Sequence, residues 1–275
     1  MPKSAEKTNT ERTPIAGQAP DLAHLVDEEG PRLLAFLRRT CGDGSDAEDV
    51  AQQAFLAATR SFDQLESAAS ARAWLYAIAR HTCQRMHRRR AGAPRFFEPL
   101  ESLDELTPRP AATVPELPQG AGDPHAERLR TEARELVERG VAQLPPAFRQ
   151  VLVLADLAEL TTAEIASVLG LLEATVKTRL HRARLKLRKI LAEGLPKRSA
   201  PPPSHSRRVC LDLLQAKFEA MDRRVPFSYS DDALCARCRT LLGTIDLAGA
   251  ACLSLRGERL DPELRRRILA AAAES

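Results

Sequence analysis

The sequence is poor in aromatic residues and contains no long apolar run. Its 275 residues include one Trp and two Tyr, and only 4% of them are aromatic. No apolar stretch approaches the roughly 18–20 residues that a membrane-spanning helix requires. The first twenty residues are polar and lack the apolar core of a signal peptide. We therefore expect a cytoplasmic chain with no membrane association, in which residues 1–20 form a disordered arm.

Motifs that would indicate an enzyme are missing as well. The sequence has no glycine-rich phosphate loop, no nucleophile elbow and no His-Glu-x-x-His pattern. Its six histidines are scattered, with no mutual spacing that suggests a site. We therefore expect a protein without enzymatic activity.

Cysteines are few and unevenly distributed. Four of the six lie in the last 66 residues, which marks that end of the chain as chemically different from the rest. For a cytosolic chain, buried thiols or metal ligands are a better expectation than a disulfide framework. The six are Cys41, Cys83, Cys210, Cys235, Cys238 and Cys252.

Helical periodicity and proline content divide the chain into units. Apolar residues recur at three-and-four spacing in residues 21–90 and again in residues 125–195. Between them, residues 91–124 hold seven prolines, which forbid a continuous helix or a central strand and predict an extended linker. A second linker, residues 196–208, precedes the cysteine-bearing C-terminal domain, residues 209–275. We predict an all-α fold: two helical domains joined by a Pro-rich linker, plus a small helical C-terminal domain.

Positive charge is concentrated in two runs, although the net charge of +4 is modest. Residues 177–189 contain seven basic residues and no acidic one, and residues 85–90 contain four arginines and a histidine. Such clusters attract phosphate backbones because binding releases condensed counterions. A single run could equally be a solvated helix face. Two runs, each at the end of a helical pattern, favour nucleic-acid binding.

The segment from Thr161 to Lys189 predicts a helix-turn-helix. Thr161 and Glu164 have the spacing of a capping box, and Gly170 stands where the chain leaves the first helix in a left-handed conformation. The second helix carries an apolar stripe at Val176, Leu180, Ala183, Leu187 and Ile190. The same spacing is expected to turn a set of basic residues outward: Lys177, Arg179, Arg182 and Arg184. A protruding basic helix suits reading of the major groove, whereas the alternative is a helical hairpin with a solvated face.

Two blocks of residues resemble bacterial RNA polymerase sigma factors of the extracytoplasmic-function (ECF) group. Residues 46–56 (DAEDVAQQAFL) and 73–80 (AWLYAIAR) resemble the second conserved region of that family. The pair at 144–145 (LP), residues 162–166 (TAEIA) and residues 175–184 (TVKTRLHRAR) resemble its fourth region. The two blocks stand in the family's order, joined by a linker, and together cover about half of the chain.

The resemblance implies a sigma factor that directs core RNA polymerase to specific promoters and needs no cofactor to bind DNA. The face that docks on the polymerase clamp helices would comprise Asp46, Glu48, Asp49, Gln52 and Gln53. Contacts to the minus-ten element and its backbone would come from Trp74, Arg80, His81, Arg85, Arg88 and Arg89. The minus-thirty-five element would be read by Thr175, Lys177, Thr178, Arg179, His181, Arg182 and Arg184.

The sequence also departs from the family pattern. The family usually has Asn near Arg80 or His81, and a small residue with Gly where this chain has Glu173 and Ala174; these changes affect the promoter preference. A lone Trp on a helix, such as Trp74, is more often a core residue than a base-stacking one. The rival function is a helix-turn-helix regulator that acts without polymerase, which would leave the first block unexplained.

The C-terminal domain resembles the small zinc-binding domain of anti-sigma factors. Cys235 and Cys238 form its CxxC pair, Cys210 fits the upstream ligand position, and Asp231 stands where that domain has His. Two further residues compete for the fourth ligand position: His205 and Cys252. Thiolate ligands favour zinc or copper(I). We expect a regulatory tail that holds a structural metal or senses a metal or an oxidant, with plain buried thiols as the alternative. Whether a separate anti-sigma partner exists is left open.

Overall fold

The computed structural model describes residues 22–41, 44–60, 71–90, 113–120, 122–200, 202, 204–227, 234–255 and 259–273, with side chains of the third range up to Met86. Within these ranges it is almost entirely helical, which confirms the predicted all-α class. The helices are α1 Leu22–Thr40, α2 Gly44–Arg60, α3 Ala71–Arg90, α4 Pro124–Gln143, α5 Pro146–Leu152, α6 Thr162–Leu169, α7 Glu173–Gly194, α8 Arg207–Arg223, α9 Ala236–Ser254 and α10 Pro262–Ala273. None of these helices is long and apolar enough to cross a membrane.

Helices α1, α2 and α3 form the first helical domain. The apolar face expected on α1 is buried through Leu33, Phe36 and Leu37. Phe36 meets Tyr76 of α3 edge to face, with ring centroids 5.6 Å apart. The apolar positions of α2 are also buried, as their helical spacing predicts: Ala47, Val50, Ala51, Ala54, Phe55 and Ala58.

A disulfide joins Cys41, directly after α1, to Cys83 in α3, and their Cα atoms are 5.7 Å apart. The preference for buried thiols or metal ligands over disulfides is therefore wrong for this pair. That preference came from the expected cytosolic location, whereas the pairing depends on local geometry. Because α1 and α3 pack side by side, they bring the two side chains within the range that a disulfide requires.

Helices α4 to α7 form the second helical domain. The pair at 144–145 separates two helices, since α4 ends at Gln143 and α5 begins at Pro146. After α5 the chain continues through a π-helical turn, Val153–Leu157, into the helix-turn-helix formed by α6 and α7. Helix α4 begins at Pro124, one residue inside the predicted linker, with Asp123 as its N-cap.

A two-stranded ribbon connects the two linkers. Strand β1, Thr113–Pro115, pairs antiparallel with β2, Lys197–Ser199. The backbone N–H of Glu116 extends the pairing by donating to the carbonyl of Pro196 at 2.8 Å. Both strands are edge strands, where a proline such as Pro115 is tolerated. The ribbon thus agrees with the exclusion of a central strand from the Pro-rich segment.

Helices α8, α9 and α10 belong to the C-terminal domain, although α8 already begins at Arg207, inside the predicted second linker. The three predicted units share one hydrophobic core, which includes Phe36 of the first domain, Leu180 of the second and Ile268 of α10. Helical periodicity identifies which residues are apolar but not which unit covers them. The three units therefore pack directly against one another.

Candidate nucleic-acid and polymerase interface

The turn of the helix-turn-helix has the predicted local chemistry. The Thr161 hydroxyl accepts from the Glu164 N–H at 3.2 Å, and the Glu164 carboxylate accepts from the Thr161 N–H at 2.6 Å. This capping box satisfies backbone donors at the start of α6. Gly170 follows the helix with a φ of 65°, in the left-handed region that favours glycine. These two features orient α7, which is the candidate recognition helix.

The recognition helix α7 presents only part of its basic face to solvent. Its apolar stripe is buried as predicted at Val176, Leu180, Ala183 and Leu187, and Ile190 is half-buried. Lys177 and Thr178 are exposed. The other candidate DNA-reading residues up to Arg182 are half-buried: Thr175, Arg179, His181 and Arg182. Lys177 and Thr178 are therefore the candidates with the most open access.

Arg184 does not point outward, contrary to the prediction from its helical spacing. Its side chain is only 7% exposed and lies between two carboxylates, Asp156 of the π-helical turn and Asp222 of α8. Each carboxylate accepts a 2.8 Å hydrogen bond from the guanidinium group. Burial alone would lower the pKa of Arg184, but the two carboxylates outweigh burial and raise it. In this conformation Arg184 is a buried ion-pair residue and is not exposed for contact with DNA.

His181 is held by the same helix of the C-terminal domain. Its Nε2 lies 3.2 Å from the Asp222 carboxylate, and its ring stacks on Phe218 with centroids 4.7 Å apart. Burial alone would raise the pKa of Asp222, but hydrogen bonds and positive charge from His181 and Arg184 hold it below its ordinary value. Helix α8 therefore covers two of the residues expected to read the minus-thirty-five element.

The candidate minus-ten residues lie on α3, which packs against α6. Trp74 is half-buried and packs on the core, in agreement with its interpretation as a core residue. Arg80 is half-buried and its guanidinium donates to the carbonyl of Val168 in α6 at 3.4 Å. His81 and Arg85 are exposed. The side chains of the two remaining candidates lie outside the described part of the chain: Arg88 and Arg89.

The candidate polymerase-facing residues lie along α2. Asp49 and Gln53 are exposed, and the others are half-buried: Asp46, Glu48 and Gln52. Glu48 pairs with Arg38 of α1 at 3.3 Å. Arg267 of α10 reaches the same face, because its guanidinium donates to Gln52 at 3.1 Å and lies 3.6 Å from Asp49. The C-terminal helix thus contacts two of the five predicted residues.

Three of the predicted metal-binding cysteines lie in one small cluster with Leu213. The Cys210 and Cys238 sulfurs are 3.3 Å apart, and the Cys238 N–H donates to the Cys235 sulfur at 3.4 Å. Within the described ranges, no group of three or more His, Cys, Asp or Glu side chains is arranged to hold a metal ion. The expected fourth ligand, Asp231, lies outside those ranges. The described residues therefore show a thiol pair with a third thiol beside it, and not a complete zinc site.

The thiols differ in their tendency to ionise. Burial and the neighbouring thiols raise the pKa of Cys238. Burial opposes ionisation of Cys235, but hydrogen bonds from Cys238 and from nearby backbone outweigh it and lower the pKa. Burial raises the pKa of Cys252, which lies in α9 under the core and away from the other three. Cys235 is thus the thiol whose pKa is lowered, which favours its thiolate form.

Sequence reasoning missed the residues that cover the candidate interfaces. Asp156, Phe218 and Asp222 surround the recognition helix, and Arg265 and Arg267 contact the first helical domain. These contacts join residues 28 to 238 positions apart along the chain. No local periodicity signals such pairs. Only the acidic and basic character of their helices was visible in the sequence.

The family models that match this chain are those for sigma factors. Sigma-70 region 2 matches residues 25–92, and Sigma-70 region 4 matches residues 134–187. The first range covers α1 from Leu25 onward together with α2 and α3, and the second covers the helix-turn-helix with its recognition helix up to Leu187. Both ranges agree with the two helical domains seen in the structure.

Curated relatives include several ECF RNA polymerase sigma factors. SigL of Mycobacterium tuberculosis is 33% identical over 179 residues, which cover 65% of this chain and 93% of SigL. SigE of Mycolicibacterium smegmatis is 32% identical, with 63% of each chain covered. SigG of Mycobacterium tuberculosis is 29% identical, with 78% of this chain and 60% of SigG covered. The chain thus spans about 60% of the length of SigE and SigG.

Proposed function

Because this chain belongs to the extracytoplasmic-function family of RNA polymerase sigma factors, we propose that it brings core polymerase to specific promoters and aids their opening. The proposal rests on the presence, in one chain, of two domains that would each bind a different partner. One is a region 2 domain with an acidic α2 face, and the other is a region 4 domain with a basic recognition helix. Sigma factors initiate transcription and are not enzymes, in agreement with the absence of catalytic motifs from the sequence.

The alternative of a regulator that acts without polymerase is not favoured. A helix-turn-helix alone would account for residues 134–187, but it would leave the region 2 match over residues 25–92 without a role. The two proposals differ in what promoter binding requires. A sigma factor binds promoters specifically as part of the polymerase complex, whereas a separate regulator binds them alone.

The test is transcription in vitro with core polymerase on a promoter library, using the full chain and a chain ending at Leu195. The shorter chain retains both domains, and relatives such as SigL consist almost entirely of the matching segment. Specific transcripts that require this protein, and no specific footprint without polymerase, are the expected result. Absence of transcripts from both forms, together with a footprint by the protein alone, would support the separate regulator instead.

We propose in addition that the C-terminal domain, residues 209–275, regulates the sigma domains in cis through its thiols. The support is the 3.3 Å approach of the Cys210 and Cys238 sulfurs. A peroxide would take two electrons and two protons from this pair, forming one S–S bond and releasing two waters from hydrogen peroxide. Zinc or copper(I) would bind the same thiols after loss of their protons, with further ligands completing the site.

Mass spectrometry and metal analysis of the full chain test this response. Peroxide should remove two mass units through a bond that joins Cys210 to Cys238, or added zinc should remain bound after desalting. Cys210→Ser should abolish either change, whereas the matched variant Cys252→Ala should retain it because Cys252 lies apart from the cluster. A chain that neither binds zinc nor forms this bond would exclude the thiols as a sensor.

A further inference from the structure

The C-terminal helix α10 is anchored on the first helical domain by apolar contacts. Leu264 and Ile268 are buried in the shared core, with 2% and 0% exposure. Just before the helix, Leu260 lies directly over Gly30 of α1, where a Cβ atom would overlap the leucine side chain. The close approach therefore depends on a glycine at this position. Removal of these two aliphatic side chains from water favours the docked position of the helix.

Two arginines set the position of α10 on that surface. Arg265 binds Asp27 of α1 in a bidentate manner, at 2.5 and 2.8 Å. Arg267 donates to Gln52 of α2 and lies 3.6 Å from Asp49. Exposed ion pairs contribute little to stability, but a bidentate arginine fixes geometry. The result is that α10 lies across the α2 face that was predicted to dock on polymerase.

A second helix of the same domain covers the DNA-reading surface. Asp222 of α8 accepts from Arg184 and lies against His181, so its carboxylate engages two side chains that were predicted to contact DNA. Phe218 adds the stacked contact on His181. A charge-assisted pair of this kind, buried at both ends, resists exchange with solvent more than a surface pair does. Helix α8 therefore competes with DNA for the recognition helix.

The two sigma domains also contact each other in a manner that promoter binding forbids. Arg80 of α3 donates to Val168 of α6, and Arg72 donates to the carbonyl of Glu159 at 3.2 Å. The minus-ten and minus-thirty-five elements are about 25 base pairs apart, roughly 85 Å of duplex at 3.4 Å per pair. Domains in direct contact cannot occupy both elements. Binding to a promoter requires them to separate.

From these contacts we infer that the described conformation is an inhibited one, in which α8 and α10 hold the recognition helix and the polymerase-facing helix closed. The inference rests on the proposed sigma function and assigns the C-terminal domain an inhibitory direction. Release of either helix exposes one binding face, and release of both allows the domains to separate. The inhibitor is a segment of the same chain, so its effect does not depend on protein concentration.

Charge reversal on α10 tests the inference in the full chain. Arg265→Glu with Arg267→Glu should repel α10 from Asp27 and Asp49. The matched control is Arg266→Glu, which reverses a charge on the same helix at an exposed residue whose ion pair among the described residues is with Glu263 of that helix. Affinity for core polymerase and transcript yield are measured for each form. We expect both to rise by roughly 5- to 150-fold in the double variant, the usual range for coupling between sites, and to stay at the wild-type level in the control.

A second variant tests the contact between α8 and the recognition helix. Asp222→Asn should release the recognition helix and raise promoter binding by the polymerase complex, whereas Asp212→Asn, an exposed carboxylate on the same helix, should not. Unchanged affinity and yield in both release variants, with transcripts from all forms, would overturn the inhibitory role and leave the sigma function intact. Failure of every form, including the chain ending at Leu195, to bind core polymerase would overturn both.

Discussion

Asp222 of α8 and Arg184 of the recognition helix form a 2.8 Å ion pair in which both side chains are only 7% exposed. Arg184 shares its guanidinium with Asp156, so a single buried cation joins the C-terminal domain to two parts of the region 4 domain. Removing one partner of a buried pair is costly because the remaining charge stays in a poor environment. The network therefore stabilises the closed arrangement as well as covering the DNA-reading face.

Asp156→Ala should lower the free energy of unfolding by about 3–5 kcal/mol, since it leaves Arg184 buried with half of its counter-charge. Urea denaturation followed by circular dichroism measures the change. Glu132→Ala is the matched control, because Glu132 pairs with Arg128 on the exposed surface of α4 and should change stability by less than about 1 kcal/mol. Equal losses in the two variants would argue against a structural role for the buried pair.

Lys177→Ala should weaken binding of the polymerase complex to its promoter by roughly 1–3 kcal/mol if the lysine reads a base. Lys177 is the exposed basic residue nearest the start of the recognition helix. Titration of promoters with single-base changes distinguishes a base contact from a phosphate contact, which would lose affinity uniformly across sequences. Arg128→Ala on α4 is the control. A promoter affinity that is the same in all three proteins would remove Lys177 from the interface.

Acid should weaken the attachment of α8 to the recognition helix. The pKa of Asp222 is lower in the folded protein than in the unfolded chain. The carboxylate therefore contributes its full share to the free energy of unfolding above the ordinary aspartate pKa of about 4, and this share is lost as the pH falls through the lower folded pKa. The free energy of unfolding of the wild type should therefore fall more steeply below about pH 4 than that of Asp222→Asn. Parallel pH profiles for the two proteins would contradict the assignment.

Alkylation should distinguish the thiols of the C-terminal domain. Cys235, with its lowered pKa, should react with iodoacetamide before Cys238, whose pKa is raised, because the thiolate is the nucleophile. Cys252 is 1% exposed and should react only after unfolding. Peptide mass spectrometry at mildly alkaline pH gives the order. Modification of Cys252 at the rate of Cys235 would show that α9 does not bury it.

Local chemistry was predictable where neighbours in the chain decide it. The capping box of Thr161 and Glu164, the left-handed Gly170 and the buried face of α7 all follow from spacing within one helix or turn. Arg184 was assigned to the outer face with the other basic residues, although it stands four residues after Leu180 and therefore at the edge of the apolar stripe. The sequence offers no sign that α8, 38 residues away, covers that face with Asp222.

The disulfide was missed for a related reason. Cys41 and Cys83 are separated by 42 residues, and only the packing of α1 against α3 brings them together. The arrangement of the three units was also beyond sequence reasoning, because proline-rich linkers reveal where helices stop but not how the helical units meet. The sequence identified the candidate residues of each surface separately. That α8 and α10 cover these surfaces follows only from the tertiary structure.

The β1–β2 ribbon limits how far the two DNA-binding domains can move apart. With the ribbon paired, 22 residues separate the end of α3 at Arg90 from the start of β1 at Thr113, a contour length of at most about 75 Å. With the ribbon open, 33 residues separate Arg90 from the start of α4 at Pro124, a contour length of at most about 110 Å. Since β2 leads into the C-terminal domain, we expect movement of that domain to strain the pairing and to change the available length. The three-residue pairing would then link the position of the C-terminal domain to the promoter spacings that the two DNA-binding domains can reach.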